Sequence, residues 1–528
     1  MFSFADNIQC DLLKSVGGVK ESVSDFGKTL SKMTYLDKVT KSSPTKDETS
    51  RCTSLTNIPK DTLNTLQDTA TSFLSFFNLT NPLDLINQLS STVLTMGSLP
   101  KKLLDDIIEG TTDIFFSIPT VFTAEFWSTS AQSFVYSFNF MSKSSIPGGE
   151  IFLPQLPLIQ SQKQVEKVAH GDDLVFLFEP RDIFGNPIGN LMDGAHRVKR
   201  IVGGIQAKSP PRDDPVVFIY QPTKTIRIEG LQQDQRGFYS FLGIPYADPP
   251  IGKNRFVRAR LRKLVGDFEA KKYPDPCPQP SANNEQEIVG QEDCLKLNIH
   301  TPEMPDPDTK LPVIIFLHGG GFRFGSASQY DPRHLIGQKV LFVGVQYRLG
   351  SLGILGLGSK EIPSNGALSD CVAAVRWTHK YIQFFGGDPE KVTILGHGSG
   401  AALAIMLSMS KFTNPLIRGI VAMSGSAISP HAVDLSPIKS FGNVHRINRC
   451  TRENSLKIFK CLQNIPATDI IRGDSDIQLL PQNSDLIADL SGFLGFSPNV
   501  EDIDDRRGLP GILTEYPNNF FASGHFNS

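Results

Sequence analysis

The chain has 528 residues, 40% of them hydrophobic, with 52 basic against 54 acidic side chains. That length suffices for one large domain or two to three ordinary ones, and a net charge of −2 gives no basis for a nucleic-acid or anionic-membrane partner. No apolar run approaches the roughly 18 residues of a membrane-spanning helix, and the start, MFSFADNIQCDLLKSVGG, lacks the basic head and long apolar core of a signal peptide.

In chain order, DTLNTLQDTATSFLSFF and PKKLLDDIIEGTTDIFF read as helices, and SFVYSFNF (Ser133–Phe140) alternates like a strand. The basic, then proline-rich stretch AHRVKRIVGGIQAKSPPRDDP reads as a linker over 191–215. Its RIVGG imitates the activated N-terminus of a trypsin-like protease, but no GDSGG-type serine loop follows. Arg197-Val198-Lys199-Arg200 is either a convertase site or plain solvated linker.

Beyond Asp214 the signals alternate. VVFIYQ and TKTIRIEG form a hairpin pattern, and GFYSFLGIPYADPPIGKNRF is an extended, proline-broken segment. LPVIIFL (Leu311–Leu317) is a buried strand running into Gly319-Gly320-Gly321, and VLFVGVQYR is the next strand. SDCVAAVRWTHKYIQFF has helical spacing, KVTILG is a strand, AALAIMLSMS a helix and IRGIVAMSG a strand. Apolar strands alternating with helices predict an α/β sheet covered on both faces.

Cys277 and Cys294 are 17 residues apart (294 − 277), and Cys450 and Cys461 are 11 apart (461 − 450). Neither pair has C-x-x-C metal spacing and no histidine cluster accompanies them. Closed loops in polar segments read as disulfides, with reduced surface thiols as the alternative. Cys371 sits at a buried helix position and is expected unpaired. Asn78-Leu79-Thr80 is a glycosylation sequon. The cysteines thus point to an exported protein, extracellular or in the secretory pathway, whose true start is missing, against the cytosolic reading of the N-terminus.

Strand, HGGGF (His318–Phe322) and then an elbow-like GHGSG (Gly396–Gly400) is the order in which esterases carry an oxyanion loop and a nucleophile elbow. With FLGIPYADPPIGKNRF, QEDCLKLNIHTP, VQYRLGSLGIL, FFGGDPEKVTILGHGSG and AMSGSAISP in sequence, residues 216–528 resemble the N-terminal three-fifths of a type-B carboxylesterase/cholinesterase-like domain. The resemblance implies an α/β-hydrolase with a central, mostly parallel twisted sheet. It also implies the disulfides Cys277–Cys294 and Cys450–Cys461, structural ion pairs Arg255–Glu292 and Arg348–Asp370, and oxyanion donors at Gly320, Gly321 and the Ser399 N–H. No cofactor or metal is called for.

The family's elbow reads Gly, Glu, Ser, Ala, Gly. Here it reads Gly396, His397, Gly398, Ser399, Gly400, so Gly398 stands at the nucleophile's place. A shifted register, with Ser399 as nucleophile, would put His397 and Ala401 where the turn needs small residues. VEKVAHGDDLVFLF (Val165–Phe178), and DIIEGTTDIFFSIPTVFTAEFWSTSAQSFVYSFNF before it, resemble the segments around the family's catalytic histidine. Residues 1–190 are therefore expected to hold a C-terminal-like esterase segment, with 1–94 unassigned and His170 the candidate base. The acid is not visible; Asp68 is the one candidate. In this order the pieces are either an excerpt from a tandem esterase-like protein or a permuted domain that closes on itself. The missing signal peptide, the absent acid and the abrupt end favour the excerpt, in which His170 should lie tens of ångströms from the elbow.

The expected function is a catalytically inactive, cholinesterase-like module for protein–protein contact or adhesion, as in neuroligin-, neurotactin- or glutactin-like members. The alternatives are an active carboxylesterase of small esters, using Ser399 or a neighbouring-domain serine, and a binder of a small apolar ester or ligand in the gorge.

Overall fold

A computed structural model describes residues 116–128, 131–137, 170–171, 173–188, 214–222, 224–233, 237–281, 284, 287–356, 363–429, 432–434, 444, 448–450, 455–478 and 497–498. The chain divides into two units, Met1–Asn139 with Ile428–Pro430 and Pro481–Leu490, and Phe140–Ala427 with His431–Leu480 and Ser491–Ser528. Asp68, Asn78, Cys10, Cys52, the whole of 1–94 and the 191–213 part of the linker lie outside the described residues.

In the first unit the described helix is α1, Ile118–Ser128, carried by IPTVFTAEFWS. Of the PKKLLDDIIEGTTDIFF stretch that the pattern marks as helical, all but Phe116 lies outside the described residues. The described residues of SFVYSFNF, 133–137, form no strand. This corrects the strand reading: alternation signals a strand only where one face has a sheet to cover, and Phe134 is 77% exposed.

Among the described residues, the second unit is built on a seven-stranded sheet. Its strands are β1 (Leu231–Gln233), β2 (Phe238–Pro245), β3 (Lys296–Thr301), β4 (Leu311–Leu317), β5 (Leu341–Val345), β6 (Gly387–His397) and β7 (Gly419–Met423), in the order β7-β6-β4-β5-β3-β2-β1. Pairings β7–β6, β6–β4 and β4–β5 are parallel, whereas β5–β3, β3–β2 and β2–β1 are antiparallel. Among the described residues the sheet is thus mixed, with half of its pairings parallel. The parallel half needs helical crossovers, and the antiparallel half is closed by loops. The predicted hairpin, Val216–Gln221 with Lys224–Glu229, pairs outside this sheet.

Period-two alternation explains why the central strands read as continuous apolar runs. In β4, Val313, Ile315 and Leu317 enter the main core, whereas Ile314 and Phe316 enter a second cluster on the opposite face. In β5, Val343 and Val345 face one way and Phe342 the other. Both faces are therefore covered. The main-core side receives α2 (Gly366–Tyr381) and α3 (Ser399–Met409). In α3 every residue from Ser399 to Ser408 is buried, as its all-round apolar composition requires. The opposite face is covered by Leu174 and Phe178 from the first part of the sequence, and the Phe178 ring lies 4.8 Å from that of Phe316. Arg181 adds a buried ion pair to Asp331 at 2.8 Å. Two amphipathic helices, α4 (Ser455–Asn464) and α5 (Ala467–Gln478), pack Ile458, Leu462, Ile470 and Ile471 into the main core. No described helix is long and apolar enough to cross a membrane.

Both expected disulfides are present, Cys277–Cys294 and Cys450–Cys461, and Cys371 is buried and free. Arg255 grips Glu292 through two contacts of 2.6 Å and also donates to the Gln463 carbonyl, so the first disulfide loop is tied to the end of α4. Replacing Cys277 and Cys294 together by serine is expected to lower stability by about 3 kcal/mol, because the 17-residue crosslink no longer restricts the unfolded chain. Urea unfolding of the two proteins checks this, and a difference below about 1 kcal/mol would contradict it.

Candidate active site and its degenerate elbow

The turn from β6 into α3 determines what chemistry is available. Gly398 has φ +54° and ψ −120°, and is the N-cap of α3. This is a sparsely populated backbone region that a strained turn between strand and helix exploits. Its N–H donates to the Met423 carbonyl at 2.9 Å, and its carbonyl accepts from Ala401 and Ala402 at 3.0 and 3.2 Å. The glycines two before and two after it are required by close approach. A Cβ on Gly396 would run into the Gly400 carbonyl, and one on Gly400 into the Leu317 carbonyl of β4. The small-residue positions therefore flank 398, not 399.

Ser399 is the first residue of α3 and 3% exposed. Its hydroxyl accepts a hydrogen bond from the Phe322 N–H at 3.2 Å, which turns it towards the glycine loop. Its own N–H stands in the first turn of an 11-residue helix, where backbone donors lack intrahelical partners and the helix end is electropositive. Gly320 and Gly321, with φ of +119° and +60°, form the turn after β4.

This loop is held from beneath by His318 and Tyr347. The Tyr347 hydroxyl donates to the His318 carbonyl at 2.6 Å, and the two rings stack with centroids 4.4 Å apart. His318 Nδ1 lies 2.9 Å from the Gly319 carbonyl, and burial pushes the imidazole down to about 4, so it is neutral and donates there. The supporting role of Tyr347 has no signature in the sequence.

His170 is brought to the elbow. A Cβ placed on Gly398 would lie 3.2 Å from His170 Nε2 and 3.9 Å from the Gly319 Cα. The side chain of any residue at 398 would begin beside this imidazole. His170 is thus not tens of ångströms away, as the excerpt reading required; Leu174 and Phe178 dock its segment onto the sheet and carry the ring with them. His397, at the family's glutamate place, is fully buried, with its ring centroid 4.5 Å from that of His170. Burial first, and then the charge of His170, hold it well below the ordinary histidine pKa. Among the described residues no group of three His, Cys, Asp or Glu side chains is placed to hold a metal ion.

Comparison with known proteins completes the assignment. The sequence model of the carboxylesterase family matches residues 215–528. The chain belongs to the carboxylesterase family. Its fold is accordingly the α/β-hydrolase fold. This carboxylesterase-family chain is 33% identical over 282 residues to esterase FE4 of Myzus persicae, covering 52% of this chain and 49% of that protein. It is 36% identical over 282 residues to acetylcholinesterase of Danio rerio, covering 50% and 44%. Among solved structures it resembles juvenile hormone esterase from Manduca sexta, determined with OTFP covalently attached. That likeness has a TM-score of 0.50 and 27% identity over 59% of this chain and 58% of that one. The chain spans about half the length of the curated relatives it matches.

Proposed function

We propose that this chain is a catalytically inactive carboxylesterase-like module that acts by binding another protein, outside the cell or in the secretory pathway. The observation that carries this reading is the glycine at the elbow. Position 398 faces the His170 imidazole and has no hydroxyl to be deprotonated. In a triad the serine and base act as a unit, so losing the serine alone costs on the order of 10⁶ in kcat. The two disulfides support an oxidising compartment. A fold kept without its nucleophile is kept for its surface.

Hydrolysis of a p-nitrophenyl ester is expected to equal that of a Ser399→Ala variant. A drop of about tenfold or more on that change would make Ser399 a nucleophile and end the inactive reading. Gly398→Ser alone is expected to restore little, because an intact triad also needs a carboxylate to orient the base, and His397 occupies the turn. The binding role is checked with beads coated with the chain. Retention on cell surfaces at physiological salt supports it, and no retention counts against it.

A further inference from the structure

Arg348 carries more donors than Asp370 takes. Its Nε and Nη2 donate to that carboxylate at 2.8 and 2.7 Å, and Nη2 also reaches the Gly366 carbonyl at 3.3 Å. Nη1 is buried and has no hydrogen-bond partner among the described residues. A guanidinium stays charged at every ordinary pH, so N–H groups left dry are costly unless something takes them. The same side chain borders a cleft of about 250 Å³, partly open to water. The cleft lies between two passes of the segment that follows β2, tied together where the Asp248 N–H donates to the Arg260 carbonyl at 2.9 Å. Half-buried Arg258, exposed Arg260, exposed Asp248 and buried Leu295 also line it.

We propose that this cleft is a binding site for a small monovalent anion of the size of chloride. Arg258, Arg260 and Arg348 meet two carboxylates, Asp248 at the rim and Asp370 behind Arg348, which leaves a surplus of one positive charge (3 − 2). A single negative charge cancels that surplus, and a cation would add to it. The ligand is small because the enclosed part of the cleft has room for about one water-sized group, and chloride is little larger than water. The anion accepts from Arg348 on the buried side and from Arg258 on the open side. It joins two parts of the fold that already touch: the Ala259 N–H donates to Ser369 Oγ of α2 at 2.9 Å, and Arg258 Nε reaches the Ser364 carbonyl at 3.5 Å. Occupancy therefore stabilises this corner by mass action, since the unfolded chain holds no such site. Neither the glycine at 398 nor His170 takes part, so the site stands whether or not the elbow is active.

The test uses the full chain at constant ionic strength, with sodium gluconate replaced stepwise by sodium chloride. Chloride NMR linewidth and thermal unfolding are followed together. Saturable broadening and a parallel rise in Tm are expected, half-complete on the order of 10 mM. Bromide should reverse the broadening, whereas sulfate at the same ionic strength should not. Arg258→Gln removes the charge on the open side and is expected to weaken chloride by about tenfold. The paired change Arg348→Met with Asp370→Leu removes the buried donor without leaving a lone charge, and should weaken it by a similar factor. Lys391→Ala, on the surface, should change nothing. Circular dichroism confirms that each variant is folded, and Arg258→Gln suffices if the buried pair cannot be replaced. Linewidths equal to those of the urea-unfolded chain (a cleft holding water only), displacement by sulfate as strong as by bromide, or full chloride affinity in folded Arg258→Gln would overturn the proposal.

Discussion

Replacing Asp370 by leucine is expected to lower stability by about 3–5 kcal/mol. Asp370 is completely buried on α2 and accepts from the Arg348 guanidinium at 2.7 and 2.8 Å, and from the Arg348 N–H at 3.0 Å. Arg348 follows β5 and is 3% exposed, so removing the carboxylate strands a guanidinium away from water. That desolvation, more than the lost attraction, sets the size of the effect. The pair also joins the exit of β5 to the start of α2, and the next turn holds the glycine loop through the Gly350 N–H to the Phe322 carbonyl at 2.8 Å. Urea unfolding of the variant measures the loss, and a value below about 1 kcal/mol would show that water reaches Arg348. A double change, Arg348→Met with Asp370→Leu, should recover most of it, since neither charge is then left unpaired.

The second large effect depends on pH. Asp474 of α5 is 1% exposed and accepts from the Ser351 N–H at 2.9 Å and from the Ser351 hydroxyl. Burial, outweighing these donors, pushes its carboxyl up to about 7 from an ordinary 3.8. The folded protein then binds a proton that the unfolded chain has released between those two values. Asp474 therefore lowers stability as pH rises from about 4 to about 7, by at most about 4 kcal/mol over that range, and contributes no further slope above it. His318 acts with the opposite sign. Its folded pKa, about 4, lies below the ordinary 6.5, so stability rises with pH between those values. The two slopes overlap, so the check is a difference: wild type against Asp474→Asn, unfolded in urea from pH 4 to 8. The variant should gain relative to wild type as pH rises and level off above pH 7. Parallel profiles would mean that Asp474 stays ionised throughout.

Much of the fold was legible because it is local. Four central strands announce themselves as apolar runs, since a strand covered on both faces needs apolar residues at successive positions. The HGGGF loop and the GHGSG elbow are short glycine signatures whose geometry allows no other residue at 396 or 400. The paired spacing of four cysteines was enough to expect both disulfides. The failures share a cause. SFVYSFNF alternates correctly, yet alternation alone supplies no neighbouring strand, and the described residues 133–137 are not in a strand. The antiparallel half of the sheet was missed because strand direction is set by the length and path of connections, not by strand composition.

The sequence by itself determined the elbow's chemistry: with glycine at 398 there is no hydroxyl at that place, whatever surrounds it. Only the tertiary structure decided what faces that glycine. His170 lies 228 positions earlier (398 − 170) and reaches the elbow because Leu174 and Phe178 are buried against Phe316 and Phe342. The same holds for Asp474 on Ser351, 123 residues apart, and for the unpartnered ring of His397. No local pattern encodes such contacts, because packing of distant apolar faces brings these polar groups together and then withholds water from them.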